Sequence, residues 1–317
     1  MSKGFLERLV RESGVDDLLE VLTARLAPSD LRSLMLTVYS RVASKSTPSK
    51  LLDQYESDRF VRPAEVDVRA LGELDRIAWS LLPPGYEARE LSPLCPLGTC
   101  SVVAPVSQNK VVSTSRHTEV VSDSTNVLAL ECAVRRREDP RTPVLLAASQ
   151  RLTRAQRLPG QQRSWAHFRL LSLCAAGRDG GSFSFEVEST LSQIRFHLRY
   201  LEALIAAGWK ISAPRIALTD FSDGRLLPIL ETSIIASLRA EFPLSEIGID
   251  PTRRSGRGYY GSVCFKVSVK DPAGVDMEIG DGGDVPWTQK LLGNAKERLV
   301  ISAIAQERLA AVAPLTG

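Results

Sequence analysis

Apolar residues recur every three or four positions along the first 80 residues, the spacing that places side chains on one face of an α-helix. The pattern is clearest in FLERLV, VDDLLEVLTARL and LRSLMLTVYSRVA, all within residues 5–43. Pro28-Ser29-Asp30 and Ser46-Thr47-Pro48 supply the capping side chains and prolines that are typical of helix starts. A further helix, from Ala64 to Leu82, ends at Pro83-Pro84-Gly85 because proline cannot continue the hydrogen-bond pattern. Residues 1–80 are therefore predicted to be helical.

After Gly85 the pattern changes to short runs rich in β-branched and apolar residues, which are typical of strands. Strands are predicted at 100–106, 110–115, 142–149, 167–173 and 262–269. Helical spacing returns at 125–136, 188–207 and 296–312. Because these strands and helices follow one another without a βαβ rhythm, the sequence predicts an α+β fold with a largely antiparallel sheet.

The composition is that of a soluble globular protein, with 44% hydrophobic and 24% charged residues among 317. No apolar run approaches the roughly 20 residues that a membrane helix requires. The first residues, MSKGFLERLVRESG, contain acidic side chains and lack the apolar centre of a signal peptide. We therefore expect a cytoplasmic protein that does not enter a membrane.

The five cysteines are scattered and odd in number, which argues against a disulfide framework or a zinc site. Buried reduced thiols are the favoured interpretation. The net charge is only +3, although basic residues cluster at 135–138, 151–163 and 253–257. Such clusters fit either a solvated face or contact with nucleic acid.

Three segments carry a recognisable order of elements. GYEARELSPL at 85–94 predicts a short edge strand ending at Pro93. Residues 142–173 predict a strand, a polar loop and a return strand, with Arg154 before the loop and Phe168 in the return strand. Residues 280–309 predict a glycine-rich strand, a short helix, a strand and a helix start. In this order they resemble motifs 1, 2 and 3 of the class II aminoacyl-tRNA synthetases, in particular the histidyl-tRNA synthetases.

The resemblance implies a class II core at 76–317, an antiparallel sheet flanked by helices, preceded by an N-terminal helical region at 1–75. Motif 1 implies a homodimer. ATP and Mg²⁺ are the implied cofactors. Arg154 would contact the α-phosphate, Phe168 would stack on adenine and Arg308 would contact the γ-phosphate, roles that suit a fixed guanidinium and an aromatic face. Gln156 stands where the family usually has a glutamate.

The residues that the resemblance assigns to substrate binding match the family less closely. Tyr259 and Tyr260 resemble the paired tyrosines of the histidyl enzymes, and Gly282 and Gly283 fit a strand that approaches a ligand closely. The triplet Asp123-Ser124-Thr125 resembles the family's Glu-x-Thr, in which a carboxylate and a hydroxyl hold an amino group. An Asp-Ser-Thr triplet also serves as a helix N-cap, and we favour that interpretation.

The sequence departs from the histidyl family directly after the glycine pair. Asp284, Val285 and Pro286 stand where the family has Arg-Tyr-Asp, so the histidine pocket is rebuilt or lost. We therefore expect no charging of tRNA with histidine. The carboxylates Glu278 and Asp281, together with Asp284, fit either Mg²⁺ ligands or an ordinary acidic turn. The three histidines form no visible cluster, and a metal site is not predicted.

Three functional hypotheses follow. The first is an adenylate-forming ligase that activates an amino acid or another small carboxylate with ATP and passes it to tRNA, a carrier protein or a small amine. The second is a non-catalytic paralogue like the regulatory subunit of ATP phosphoribosyltransferase. The third is an RNA-binding module that uses the basic segment 151–163 and Trp165.

Overall fold

The computed structural model describes residues 3–155 and 166–312. The chain divides into two compact units, Met1–Arg62 with Ser113–Thr118, and Pro63–Val112 with Glu119–Gly317. The prediction that a synthetase-like core begins at residue 76 rests on the resemblance alone and stays a prediction.

The first unit is a run of helices. Its elements are α1 (Lys3–Ser13), α2 (Leu18–Glu20) continued by a π-helical turn (Val21–Arg25), α3 (Pro28–Ala43) and α4 (Pro48–Ser57). Pro28 and Pro48 open α3 and α4 as the sequence predicts, and the Thr47 hydroxyl accepts the Lys50 N–H at 3.3 Å. No residue from 4 to 57 is buried, so the apolar faces of these helices are not packed into a core of their own.

The second unit is built on an eight-stranded sheet with the order β1-β4-β5-β10-β9-β8-β6-β7. Its strands are β1 (Tyr86–Ala88), β4 (Val144–Thr153), β5 (His167–Arg178), β6 (Ser212–Asp220), β7 (Glu246–Ile249), β8 (Val263–Lys270), β9 (Asp276–Asp284) and β10 (Glu297–Ala305). A separate pair joins β2 (Leu94–Pro96) to β3 (Thr118–Val120). The inner pairings are antiparallel, while the edge strands β1 and β7 pair in parallel. The predicted α+β fold class is confirmed.

Helices cover both faces of this sheet. They are α5 (Val68–Ser80), α6 (Ser124–Glu138), α7 (Ser184–Ala206), α8 (Leu227–Ile229), α9 (Ala236–Glu241), α10 (Trp287–Leu292) and α11 (Gln306–Ala310). Because a strand is pleated, the side chains of successive β5 residues point to opposite faces of the sheet. Leu171 and Leu173 pack in the core with α5 and α7, and Cys174 and Ala176 pack with α6.

Several predicted elements are wrong. The segment 100–106 is not a strand but overlaps a π-helical turn, Thr99–Val103, and 110–115 forms no strand after the short 3₁₀ helix Gln108–Lys110. In the first case the buried Glu119 carboxylate accepts the N–H groups of Gly98 and Cys100, which curls the backbone. The helix predicted at 296–312 is mostly β10, and only its end is helical. Because β10 is covered on both faces, its apolar residues form a nearly continuous run that resembles a buried helix.

The cysteine interpretation is confirmed. All five cysteines are buried and free. Burial raises the pKa of the Cys95 thiol to about 11 and that of Cys132 to about 12. Among the described residues, no helix is both long enough and apolar enough to span a membrane.

One member of the basic cluster 135–138 forms a buried ion pair. Arg136 donates from Nε and Nη2 to the two carboxylate oxygens of Glu297, at 2.9 and 3.0 Å, and from Nη1 to the Thr142 carbonyl at 2.8 Å. The side chains are 0% and 2% exposed. This bidentate pair ties α6 to β10. Neither interpretation offered for the cluster, a solvated face or a nucleic-acid contact, applies to Arg136.

Candidate functional site

A cavity of about 490 Å³ opens on the sheet between the start of α6, the end of β4 and the loop that follows β7. Strands β8 and β9 contribute Lys266, Glu278 and Asp281 to it. Its other charged and aromatic lining residues are Lys110, Asp123, Arg154, Arg253, Tyr259 and Tyr260. The cavity therefore contains both signs of charge together with two aromatic side chains.

Asp123 and Arg154 meet at one side of this cavity. Asp123 caps α6, because its Oδ1 accepts the Thr125 N–H at 3.0 Å and the Thr125 hydroxyl at 2.7 Å. Its Oδ2 accepts from Arg154 Nη2 at 3.2 Å, and Arg154 Nε donates to the Ser122 carbonyl at 2.9 Å. The N-cap interpretation of the triplet is confirmed, and the same carboxylate also faces the cavity.

Arg253 is a cavity residue that the sequence analysis missed. Its side chain is 5% exposed, and its Nε donates to the Ser255 carbonyl at 2.9 Å. Nη2 lies 3.5 Å from Asp281 Oδ2, and Nη1 has no hydrogen-bond partner among the described residues. The guanidinium carbon is 5.7 Å from the centre of the Tyr260 ring. The sequence analysis placed Arg253 only in the basic cluster 253–257, without singling it out.

The tyrosine pair and Asp281 form the inner wall. The Tyr259 and Tyr260 rings pack edge to face with their centres 4.9 Å apart. Burial raises the pKa of both phenols well above the ordinary value, so they act as neutral hydrogen-bonding groups. Desolvation by the surrounding protein also raises the pKa of Asp281, and the charge of Arg253 opposes that rise.

A third ion pair also lies in the lining of the cavity. Lys266 Nζ lies 2.7 Å from Glu278 Oε2. Asp123, Asp281 and Glu278 are thus each paired with one cation, Arg154, Arg253 and Lys266 respectively. Fixed charges of both signs within one small cavity are suited to a ligand that itself carries both signs.

The residues assigned to the nucleotide do not all reach this cavity. The Arg154 guanidinium carbon lies 5.0 Å from the centre of the Phe168 ring, and Phe168 is not among the described residues that line the cavity. Arg308 is also outside the lining, and its Nη1 donates to the Glu278 carbonyl. Gln156 and Trp165 lie outside the described residues. Asp123, Arg154, Tyr259 and Tyr260 therefore lie together in the lining of the cavity, whereas Phe168 and Arg308 lie outside that lining.

The glycine pair is packed against protein atoms. A Cβ at Gly282 would lie 2.5 Å from Phe265 Cζ and 2.6 Å from the Ile301 carbonyl oxygen. A Cβ at Gly283 would lie 2.7 Å from Tyr260 Cδ1. Close packing between neighbouring strands and side chains accounts for both glycines, and neither lines the cavity.

Gly282→Ala is expected to lower the free energy of unfolding by about 1–3 kcal/mol, because the carbonyl of Ile301 cannot move away cheaply. Gly72→Ala is the matched control, since Gly72 is exposed in α5 with no atom near its Cβ position. It should stabilise by about 0.5–1 kcal/mol. Urea denaturation measures both. Unchanged stability in Gly282→Ala would contradict the packing role.

The acidic residues of β9 do not assemble a metal site. Asp284 Oδ1 accepts the N–H groups of Ser262 and Val263 at 2.8 and 2.7 Å and so anchors the start of β8. In the described ranges, no group of three His, Cys, Asp or Glu side chains could hold a metal ion. Glu278 and Asp281 belong to the ion pairs of the cavity.

Comparison with known proteins gives structural matches alone. No protein-family model matches the sequence, and no curated protein is significantly similar to it. An ATP phosphoribosyltransferase regulatory subunit/histidyl-tRNA synthetase from Bacillus halodurans matches with a TM-score of 0.55 and 15% identity, over 79% of this chain and 82% of that one. Apo histidyl-tRNA synthetase from S. aureus matches with a TM-score of 0.56 and 14% identity, over 77% and 64%. A histidine–tRNA ligase subunit from Alicyclobacillus acidocaldarius matches with a TM-score of 0.54 and 15% identity, over 79% of this chain and 96% of that one.

The chain has a class II synthetase-like fold. The resemblance drawn from the sequence is confirmed at this level, and identities of 14–15% carry it no further than the fold. In this class II synthetase-like fold, β1 is the edge strand predicted within 85–94, although it ends at Ala88 and not at Pro93. The pair β4 and β5 forms the two strands predicted within 142–173, and β9, α10, β10 and α11 follow the order predicted for 280–309.

Proposed function

We propose that the chain binds a small amino acid, or a related amino carboxylate, in the 490 Å³ cavity without activating it. The observation that carries this proposal is the lining itself. It combines three pairs of opposite charges with the buried Tyr260 and the partly buried Tyr259, while the nucleotide candidates Phe168 and Arg308 are not part of it.

The ligand's two charges find complementary groups in the lining of the cavity. Its carboxylate suits the guanidinium groups of Arg154 and Arg253, which present planar arrays of donors. Its ammonium suits the carboxylates of Asp123 and Asp281. Arg253, a lining residue, also has a buried charged donor, Nη1, without a hydrogen-bond partner among the described residues. The volume lies within the range of small-molecule sites.

Features on the nucleotide side favour binding over activation. Arg308, the candidate for the γ-phosphate, donates to the backbone carbonyl of Glu278. Gln156 lacks the charge of the glutamate that it replaces. One of the structural neighbours is described as an ATP phosphoribosyltransferase regulatory subunit/histidyl-tRNA synthetase. A non-catalytic paralogue that responds to an amino acid agrees with these features.

An adenylate-forming ligase is the second candidate. The adjacency of Arg154 and Phe168 favours it, because an α-phosphate and an adenine ring would need these two side chains close together. This candidate would require ATP and Mg²⁺, and tRNA, a carrier protein or a small amine as acceptor. A homodimer remains predicted for either function and is checked by sedimentation.

Calorimetric titration with the 20 common amino acids tests the first proposal. We expect one or a few to bind, and Arg253→Gln and Asp281→Asn each to weaken binding by about tenfold or more through loss of a charge-assisted contact. Arg215→Gln is the matched control, since Arg215 pairs with Glu246 at 3.3 Å, away from the cavity, and is 47% exposed. It should leave the affinity unchanged.

Pyrophosphate exchange separates the two candidates. With the amino acids that bind, the non-catalytic proposal predicts no incorporation of pyrophosphate into ATP. Exchange with any amino acid would instead establish a ligase. If no amino acid binds at millimolar concentration, the proposal for this cavity is wrong.

A further inference from the structure

A second cavity of about 280 Å³ lies where β6, β9 and β10 meet the N-terminus of α7. None of its lining residues belongs to the first cavity. Its polar lining includes Glu186, Ser222, Asp284 and Gln289, and Phe221 provides an aromatic wall. The amino-acid proposal makes no use of this place.

Glu186 is the most informative residue of this second cavity. Its side chain is 6% exposed. Oε1 accepts from Arg298 Nε at 2.7 Å, but Oε2 is buried without a hydrogen-bond partner among the described residues. Burial raises the pKa of Glu186, and the nearby charge of Asp284 raises it further. A buried carboxylate oxygen without a donor is costly, and a donor supplied by a ligand would remove that cost.

Two arginines, Arg298 and Arg225, also line this cavity, and both already have partners. Arg298 shares its guanidinium between Glu186 and Asp179, with Nη2 at 2.8 Å from Asp179 Oδ2, and Nη1 donates to two backbone carbonyls. Arg225 donates from Nε to the Ser222 carbonyl at 2.9 Å, and its guanidinium lies 5.8 Å from the Phe183 ring centre. Arg298 therefore balances Glu186 only in part, and the unpartnered oxygen still lacks a donor.

We propose that the second cavity binds a small organic cation, a primary ammonium or a guanidinium. The ligand would donate N–H groups to Glu186 Oε2 and to the Asp284 carboxylate, and its charge would face the Phe221 ring. The same ring already lies 4.9 Å from the Arg257 guanidinium carbon, so it is in contact with a cation of this type. Because the described residues hold no group of three metal ligands, an organic cation fits better than a metal ion.

Amide spectra of the full chain test this proposal with three probes, methylguanidinium, propylammonium and the neutral N-methylurea. The reporters are the amides of Ser262 and Val263, which donate to Asp284. Both cations should shift these signals saturably at millimolar concentration, and N-methylurea should not. Glu186→Gln should weaken cation binding by about tenfold or more. Glu188→Gln, an exposed neighbour on α7, should bind like the wild type.

A second variant keeps the test decisive if Glu186→Gln does not fold. Gln289→Arg places a tethered guanidinium on the cavity wall and should abolish the shifts by occupying the site. Equal shifts with all three probes, or unchanged cation affinity in a folded Glu186→Gln or Gln289→Arg variant, would overturn the proposal. Neither outcome depends on whether the first cavity binds an amino acid.

Discussion

Arg136→Met is expected to lower the free energy of unfolding by about 3–5 kcal/mol, a larger loss than that expected for Gly282→Ala. The substitution leaves Glu297 with a buried negative charge and no cation to balance it. It also removes the donor to the Thr142 carbonyl. Because both side chains are at most 2% exposed, water cannot replace the lost partner. Urea denaturation at neutral pH measures the change.

The double variant Arg136→Met/Glu297→Leu provides the decisive comparison. With both charges gone, apolar side chains of similar volume should recover most of the loss, since a buried pair is roughly balanced by its cost of desolvation. Arg137→Met, at an exposed position of the same helix, is the control and should change stability by less than about 0.5 kcal/mol. A loss in Arg136→Met no greater than in this control would refute the structural role.

Acidification is expected to destabilise the wild type through His197. Burial lowers the pKa of His197 to about 3, from 6.5. Between these values the unfolded state binds a proton that the folded state does not, so stability is fully present above pH 6.5 and falls as the pH is lowered. The loss is about 1.4 kcal/mol per pH unit and reaches about 4 kcal/mol near pH 3.5. Urea denaturation at intervals from pH 7 to pH 4 follows it.

His197→Gln should flatten this dependence on pH, because the glutamine does not titrate and can still form a hydrogen bond with Ser302 Oγ, which lies 2.8 Å from His197 Nε2. Burial raises the pKa values of Asp281 and Asp284, so these groups favour the folded state on acidification and oppose the loss. The difference between variant and wild type isolates His197. An identical slope in His197→Gln would contradict the assignment.

Local signals in the sequence were sufficient for the elements whose spacing is regular. The helix starts at Pro28 and Pro48 and the motif 2 strands follow directly from capping residues and β-rich runs. β10 was assigned in part to a helix because burial on both faces removes the alternation that marks a strand. The turn at Thr99–Val103 depends on Glu119, which is distant in sequence, so no local pattern could reveal it.

The candidate site was predicted in part, for a similar reason. The family resemblance pointed to Arg154 through motif 2, and to Asp123 and the two tyrosines through weaker matches. Arg253 was not predicted, because the local sequence RRSGR does not indicate which of its arginines is buried. The burial of Arg253 depends on its packing against Tyr260 and Asp281. The glycine pair was assigned to a ligand, although atoms of Phe265 and Tyr260 occupy the space beside it.

The position of β10 affects how the chain can fold during synthesis. This strand, Glu297–Ala305, joins β5 on one side to β9 on the other, so it links the two halves of the sheet. Until residues 297–305 have left the ribosome, β5 and β9 each lack the neighbour that β10 provides. The nascent chain then has two unpaired strand edges. Such edges are sites of wrong pairing between chains. Translation speed and chaperones that shield open edges should therefore have a strong influence on the yield of the folded protein.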